Sequence, residues 1–233
     1  MIHGNAAVDV SLFVAVLVVS IILHEVAHGW VAWRFGDRTA RDAGRITLNP
    51  LPHLDPVGSL LLPGLLAFAG GPVWGWAKPV PVNPAAFRHP TGQMAVVALA
   101  GPATNLALAA VLALVAAPPL VSAPFCDRLA GFADAPGWLC IGGGTLAMAD
   151  GLPGRLVLAA ILVNVALAVF NMLPIPPLDG SRILPLFLGE EGRAAYYRLS
   201  QYGFLILFVL IFVFRGSLGF LASWIGWIMR GLL

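Results

Sequence analysis

Apolar residues in this chain fall in long runs, without the alternation of a half-buried strand or the narrow stripe of a surface helix. Runs cover residues 8–35, 94–117, 155–172 and 202–228, the last interrupted only by Arg215. Crossing a bilayer takes about 20 mostly apolar residues in a helix, and these runs reach or approach that length. A shorter run, 57–71, has Pro63, Gly64, Gly70 and Gly71 in or beside it. It reads as a short span or a re-entrant hairpin, tolerated where protein buries the backbone. Across 74–90, Pro79, Pro81 and Pro84 bias their predecessors toward extended backbone. The pattern predicts an all-α membrane protein: a polytopic helical bundle of about four to six membrane segments with one short extended or re-entrant element. The tail forms one tilted helix or two short ones.

Composition agrees. Of 233 residues, 59% are hydrophobic and 10% charged, against about 25% charged in a soluble domain, too few to dress a water-facing surface. A net charge of +2 without a basic stripe argues against a nucleic-acid partner. Two cysteines exclude a disulfide scaffold and a Cys-based zinc module, although Cys126 and Cys140 share the loop 118–154 and could pair if it faces an oxidising side. The length suits a single membrane-embedded domain, 1–233, with a core at about 8–198 and C-terminal segments at about 202–229. The first ten residues contain no Lys or Arg and the first run carries charged residues, so it reads as a retained helix, not a signal peptide. Segments 34–56, 72–91 and 182–198 hold nine of the thirteen Lys and Arg residues. If 57–71 does not cross, all three lie on one side, which the positive-inside rule makes cytoplasmic with the N-terminus outside. If it crosses, Lys78 and Arg88 move to the wrong side.

The chemistry sits in the first run, at His24-Glu25-Val26-Ala27-His28. Residues four apart share a helix face, so both imidazoles can bind one ion, and Glu25 is placed as a general base. Three ionisable residues inside an apolar helix would cost about 2.5 kcal/mol or more each if idle and charged, which argues against an idle cluster. A catalytic zinc site wants a third protein ligand and an open position. A third histidine six residues past the second would fall at Arg34, and no Glu follows until Glu190 and Glu191. Asp37, Asp42, Asp55 and Asp179 remain. Depth favours Asp179, which follows the inner end of the run 155–172, over Asp42, which would have to fold back into the membrane. His53 and His89 lie among prolines without an i+4 partner and read as interfacial residues.

HEVAHGW in the first run, AGPATN at Ala100–Asn105 and NMLPIPPLDG at Asn171–Gly180 together resemble the site-2 protease family of intramembrane zinc metalloproteases, without a recognisable PDZ or CBS domain or an extra helix before the first motif. The resemblance implies one zinc ion per chain, bound by His24, His28 and Asp179, with Glu25 as catalytic base. It also implies a substrate contact at Asn171 and cleavage of membrane segments near the cytosolic side. Asn171 is equally readable as a helix cap. Gly101, Pro102 and Asn105 read as packing and shaping of the site, and Pro174 belongs to the Pro-broken segment before the aspartate. The extended stretch from Trp74 to Pro84 could receive an unwound substrate strand by edge pairing or anchor the chain at the interface. Expected partners are the bilayer and membrane proteins with a transmembrane segment, with a homo-oligomer or an adaptor left open. The expected location is the cytoplasmic membrane of a prokaryote. A zinc-binding transporter and a non-catalytic membrane binding protein are the competing classes.

Overall fold

The computed structural model describes residues 6–68, 76–116, 152–212 and 219–232. Cys126, Cys140 and Arg215, and with them the disulfide expectation, lie outside the described residues. Helix α1 covers Ala6–Arg34, and a short turn, α2, covers Thr39–Asp42. A π-helical turn, Pro56–Leu61, leads into α3, Leu62–Phe68. Helices α4 (Pro90–Ala116) and α5 (Leu152–Asn171) precede three shorter ones, α6 (Glu190–Ser200), α7 (Gly203–Phe212) and α8 (Gly219–Leu232). No strand occurs among the described residues.

Among the described residues, three helices are long and apolar enough to cross a membrane: Ser11–Arg34, Pro90–Leu114 and Gly154–Asn171. Among the described residues of the tail, α7 and α8 cover 10 and 14 residues; the residues 213–218 between them lie outside the described ones. Large apolar side chains such as Phe13, Val19, Leu114, Leu205 and Trp227 point outward, the surface expected of a protein solvated by lipid.

Helices α1, α4 and α5 pack on one another pairwise. The inward face of α4 is built from Ala98, Pro102, Asn105, Ala109 and Ala113, all essentially inaccessible. Small residues let membrane helices approach closely, and here they bring side chains of α1 and α5 within bonding distance of each other and of Asn105. Leu158, Ile161 and Val165 of α5 and Met229 of α8 complete the core beyond it.

Asp55 starts the re-entrant element by accepting the amides of Val57 and Gly58 at 3.0 and 2.7 Å, an N-cap with Pro56 at the first helical position. The excursion returns to where it left. Trp76 N–H donates to Gly58 O (3.1 Å), Lys78 N–H to His53 O (2.9 Å) and the Ser59 hydroxyl to Trp76 O (2.8 Å). The two described ends of the excursion thus lie side by side. Buried Arg45 donates to the carbonyls of Lys78 (2.5 Å) and Pro79 (3.4 Å), and buried Asp37 accepts the Asn83 amide at 2.6 Å. The polar segments before and after the excursion thus share the C-terminal end of α1.

Candidate metal centre

His24 and His28 occupy successive turns of α1, facing α4. The His28 Nδ1–H donates to Val97 O at 2.7 Å, and His24 Nδ1 lies 2.5 Å from Asn105 Oδ1. Each ring spends its Nδ1 on α4, at Asn105 and Val97, and the two Nε2 atoms meet between these, opposite Gly101. Asp179 reaches the same point from the loop after α5. That loop is pinned by Leu173 and Leu178, which pack against Leu207 of α7. Gly180 sits so tightly on the end of α5 that a Cβ there would fall 2.2 Å from Met172 O.

The outcome is three atoms around one point. His24 Nε2 and His28 Nε2 are 3.0 Å apart, and Asp179 Oδ2 is 3.0 Å from the first and 3.2 Å from the second. All three residues are buried. Ligand atoms about 2.0–2.1 Å from a tetrahedral ion would stand slightly over 3 Å apart, so the spacing fits. The donor set fits as well: with both Nδ1 atoms carrying hydrogen, two nitrogen lone pairs and a carboxylate oxygen face each other without a proton among them, which favours a cation at their centre. Space is reserved for it. A Cβ on Gly101 would lie 2.5 Å from the Nε2 atoms of both histidines, so α4 needs glycine opposite the cluster.

Glu25, partly exposed, lies one residue round α1 and accepts the Val80 amide at 2.8 Å on Oε2. In Lys78-Pro79-Val80-Pro81 the prolines have no N–H, so Val80 is the donor available at that height. The edge-pairing expectation for this stretch gains no support here. Lys78, Val80 and Asn83 give their amides to His53 O, Glu25 and Asp37, and Pro79 and Pro81 have no N–H to offer. The described part of the stretch, from Trp76, is a strap held on α1.

Among the other expected residues, Pro102 is buried within α4 and Pro174 is exposed where the chain leaves α5. His53 is buried and donates from Nε2 to Thr47 O (2.9 Å), while His89 is exposed; neither joins the cluster. The amide nitrogen of Asn171 donates to Leu167 O at 3.0 Å, closing its own helix. Asn105 does more than pack, since it holds His24. The reading from sequence passed over Asn164 and Ser20, which extend that contact: Asn105 Nδ2 donates to Asn164 Oδ1 (2.6 Å), and Asn164 Nδ2 donates to Ser20 Oγ (3.0 Å) and Ala160 O (2.8 Å). The available signal was an amide alone in the middle of an apolar helix.

A helical membrane protein with a buried His–His–Asp cluster beside a glutamate has the make-up of a membrane metalloprotease. The comparisons agree. The chain belongs to peptidase family M50, whose model matches residues 12–214. It is 37% identical over 204 residues to the Bacillus subtilis (strain 168) protein named "Putative zinc metalloprotease YwhC", covering 88% of this chain and 81% of that one. It is 35% identical over 201 residues to "Putative zinc metalloprotease Rip2" of Mycolicibacterium smegmatis, covering 86% of this chain and 66% of the relative. No solved structure matches the chain at a significant level. The chain is a zinc metalloprotease of this membrane-embedded family, and the transporter and non-catalytic readings fall away.

Proposed function

We propose that this protein is an intramembrane zinc endopeptidase that hydrolyses peptide bonds in or near transmembrane segments of membrane proteins. It would act as a multi-pass protein of the cytoplasmic membrane of a prokaryote. His24, His28 and Asp179 hold one zinc ion, and Glu25 is the general base. The observation that carries this reading is the convergence of two imidazole nitrogens and one carboxylate oxygen, 3.0–3.2 Å apart, among helices apolar enough to span a bilayer.

Zinc held there supplies Lewis acidity toward the scissile carbonyl and toward water. The rest is done by the chain. Glu25 takes a proton from the attacking water and returns one to the leaving amine; the Val80 amide holds its carboxylate beside the cluster. Asn105 and Val97 O keep both rings turned inward. Asn171, at the end of α5, is the proposed contact for the substrate backbone, through the acceptor half of its amide. Partial exposure of Glu25, against full burial of the ligands, suits water entering from the polar end of α1.

The test is Glu25→Gln in proteoliposomes with single-span substrates. The parent should cut within or beside the apolar segment, as located by mass spectrometry, and the variant should retain zinc while losing activity by 10²-fold or more. Cleavage confined to soluble loops, or unaffected by the substitution, would overturn the proposal.

A further inference from the structure

Which ring nitrogen of His24 is available to a metal depends on which way Asn105 points. An asparagine amide has an acceptor end and a donor end of nearly the same shape. If Asn105 presents oxygen, His24 carries its hydrogen on Nδ1 and its Nε2 lone pair faces the cluster. If it presents nitrogen, the hydrogen moves to Nε2 and occupies the metal position.

Nothing in Asn105 itself decides this. The decision is made one helix away. Ala160 O, a main-chain carbonyl four residues before Asn164, can only accept, and the Asn164 group facing it at 2.8 Å is therefore the amide nitrogen. Asn164 must then direct Oδ1 toward Asn105, 2.6 Å away, and Asn105 must answer with its nitrogen. That leaves the Asn105 oxygen toward His24. The Ser20 hydroxyl accepts the second Asn164 hydrogen at 3.0 Å, but a hydroxyl can donate or accept, so it completes the chain without orienting it. Asn105 and Asn164 are 0% and 3% exposed. Beside them Ser20 and Asn164 border a groove of about 300 Å³ whose other walls include Val16, Val19, Leu108 and Leu112, so the surroundings offer few competing polar partners.

We infer that Asn164, which touches neither metal ligand nor substrate, is a positioning residue that sets zinc affinity by selecting the tautomer of His24 through Asn105. This rests on the reading of His24 as a zinc ligand. Replacement of such outer partners typically lowers metal affinity 10–100-fold.

The experiment is a zinc competition titration against a chromophoric chelator, on the full chain in detergent. Four variants are compared with the parent: Asn164→Leu, Asn164→Asp, Ser20→Ala and His24→Ala. Asn164→Leu keeps the side chain's shape and removes both ends of its amide; in an apolar helix leucine is well tolerated. It should weaken zinc binding about tenfold. A buried carboxyl in these surroundings stays protonated and can still accept from Asn105 while donating to Ala160 O, so Asn164→Asp should bind zinc within about threefold of the parent. Ser20→Ala should also stay within threefold, because the orienting carbonyl survives. Parent-like affinity in Asn164→Leu, or an Asn164→Asp variant as weak as Asn164→Leu, overturns the inference. Should Asn164→Leu not yield monodisperse protein, Asn164→Ala is read on the same scale with the same expectation. A parent that binds no zinc, or binds it independently of His24, overturns the metal-site reading together with this one. Loss in His24→Ala with no effect of Asn164→Leu overturns this one alone.

Discussion

Helix α1 carries two polar clusters on neighbouring faces, and they are built differently. The face with Ser20, His24 and His28 bonds to side chains and carbonyls that belong to helices α4 and α5 and to Asp179. The face with Glu25, joined beyond the helix by Asp37 and Arg45, bonds to the main chain of the strap 76–83, with Asp37 also accepting from Thr39. Groups inside the helical bundle have no water to replace a lost partner, so each must be matched in the folded state. The strap's amides and carbonyls lie at the polar end, where water can substitute. The candidate metal cluster is thus part of the bundle itself, whereas Glu25 is held by the main chain of a segment outside the helices.

Four measurements break or sharpen the contrast. The largest effect should come from Gly101→Ala, whose Cβ would lie 2.5 Å from both Nε2 atoms. Zinc affinity should fall by 100-fold or more in chelator competition, while exchange of the strap amides is unchanged. Next, Arg45→Met removes a buried guanidinium from the carbonyls of Lys78 and Pro79; hydrogen bonds to charged groups contribute about 1.5–3 kcal/mol. Amide exchange in 76–83 should accelerate by 10-fold or more, leaving α4 and α5 protected and zinc affinity at the parent value. Val80→Pro deletes the amide that holds Glu25 and should lower kcat about tenfold with zinc content intact. Equal loss of zinc in that variant would erase the distinction between the two faces.

The smallest effect is a pH dependence. Burial pushes the Asp37 carboxyl up, but the Thr39 hydroxyl and the amides of Asn83 and Thr39 more than offset it and hold the group below its ordinary value of 3.8. The unfolded chain therefore binds more protons than the folded one in acid. The contribution of Asp37 is present above pH 3.8 and is lost as pH falls through the lowered folded value. Thermal unfolding followed from pH 5 to pH 3 should show stability declining with acid, with a shallower slope in Asp37→Asn.

Much of the fold and site was legible before any coordinates. The apolar runs marked α1, α4 and α5 because lipid tolerates few alternatives to a helix. His24 and His28 declared themselves by a four-residue spacing that any helix converts into one face. Asp179 was favoured over Asp42 by its depth and was implied as the third ligand by the resemblance of its motif. The run 57–71 reads as a short span or a re-entrant hairpin, since a run of that length between prolines and glycines fits either; that Trp76 bonds back to Gly58 is a fact of the tertiary structure alone. Asn105 was legible as a polar residue in a core helix, but its bond to His24 was not, because it depends on where α4 lies along α1.

The order of elements, the helical class, the two-histidine face and the list of candidate carboxylates were all settled by the amino-acid sequence, because hydrophobic run length and helical period are local properties. Tertiary structure alone decided what crosses between helices. It placed Ala160 O, Asn164 and Asn105 in a directed line to His24, opened a side-chain-free gap at Gly101, and laid the Val80 amide on Glu25. Such contacts join residues up to 155 positions apart. Their existence turns on helix separation and register of a few tenths of an ångström, set by packing small residues against one another, which no pattern along the chain encodes by itself.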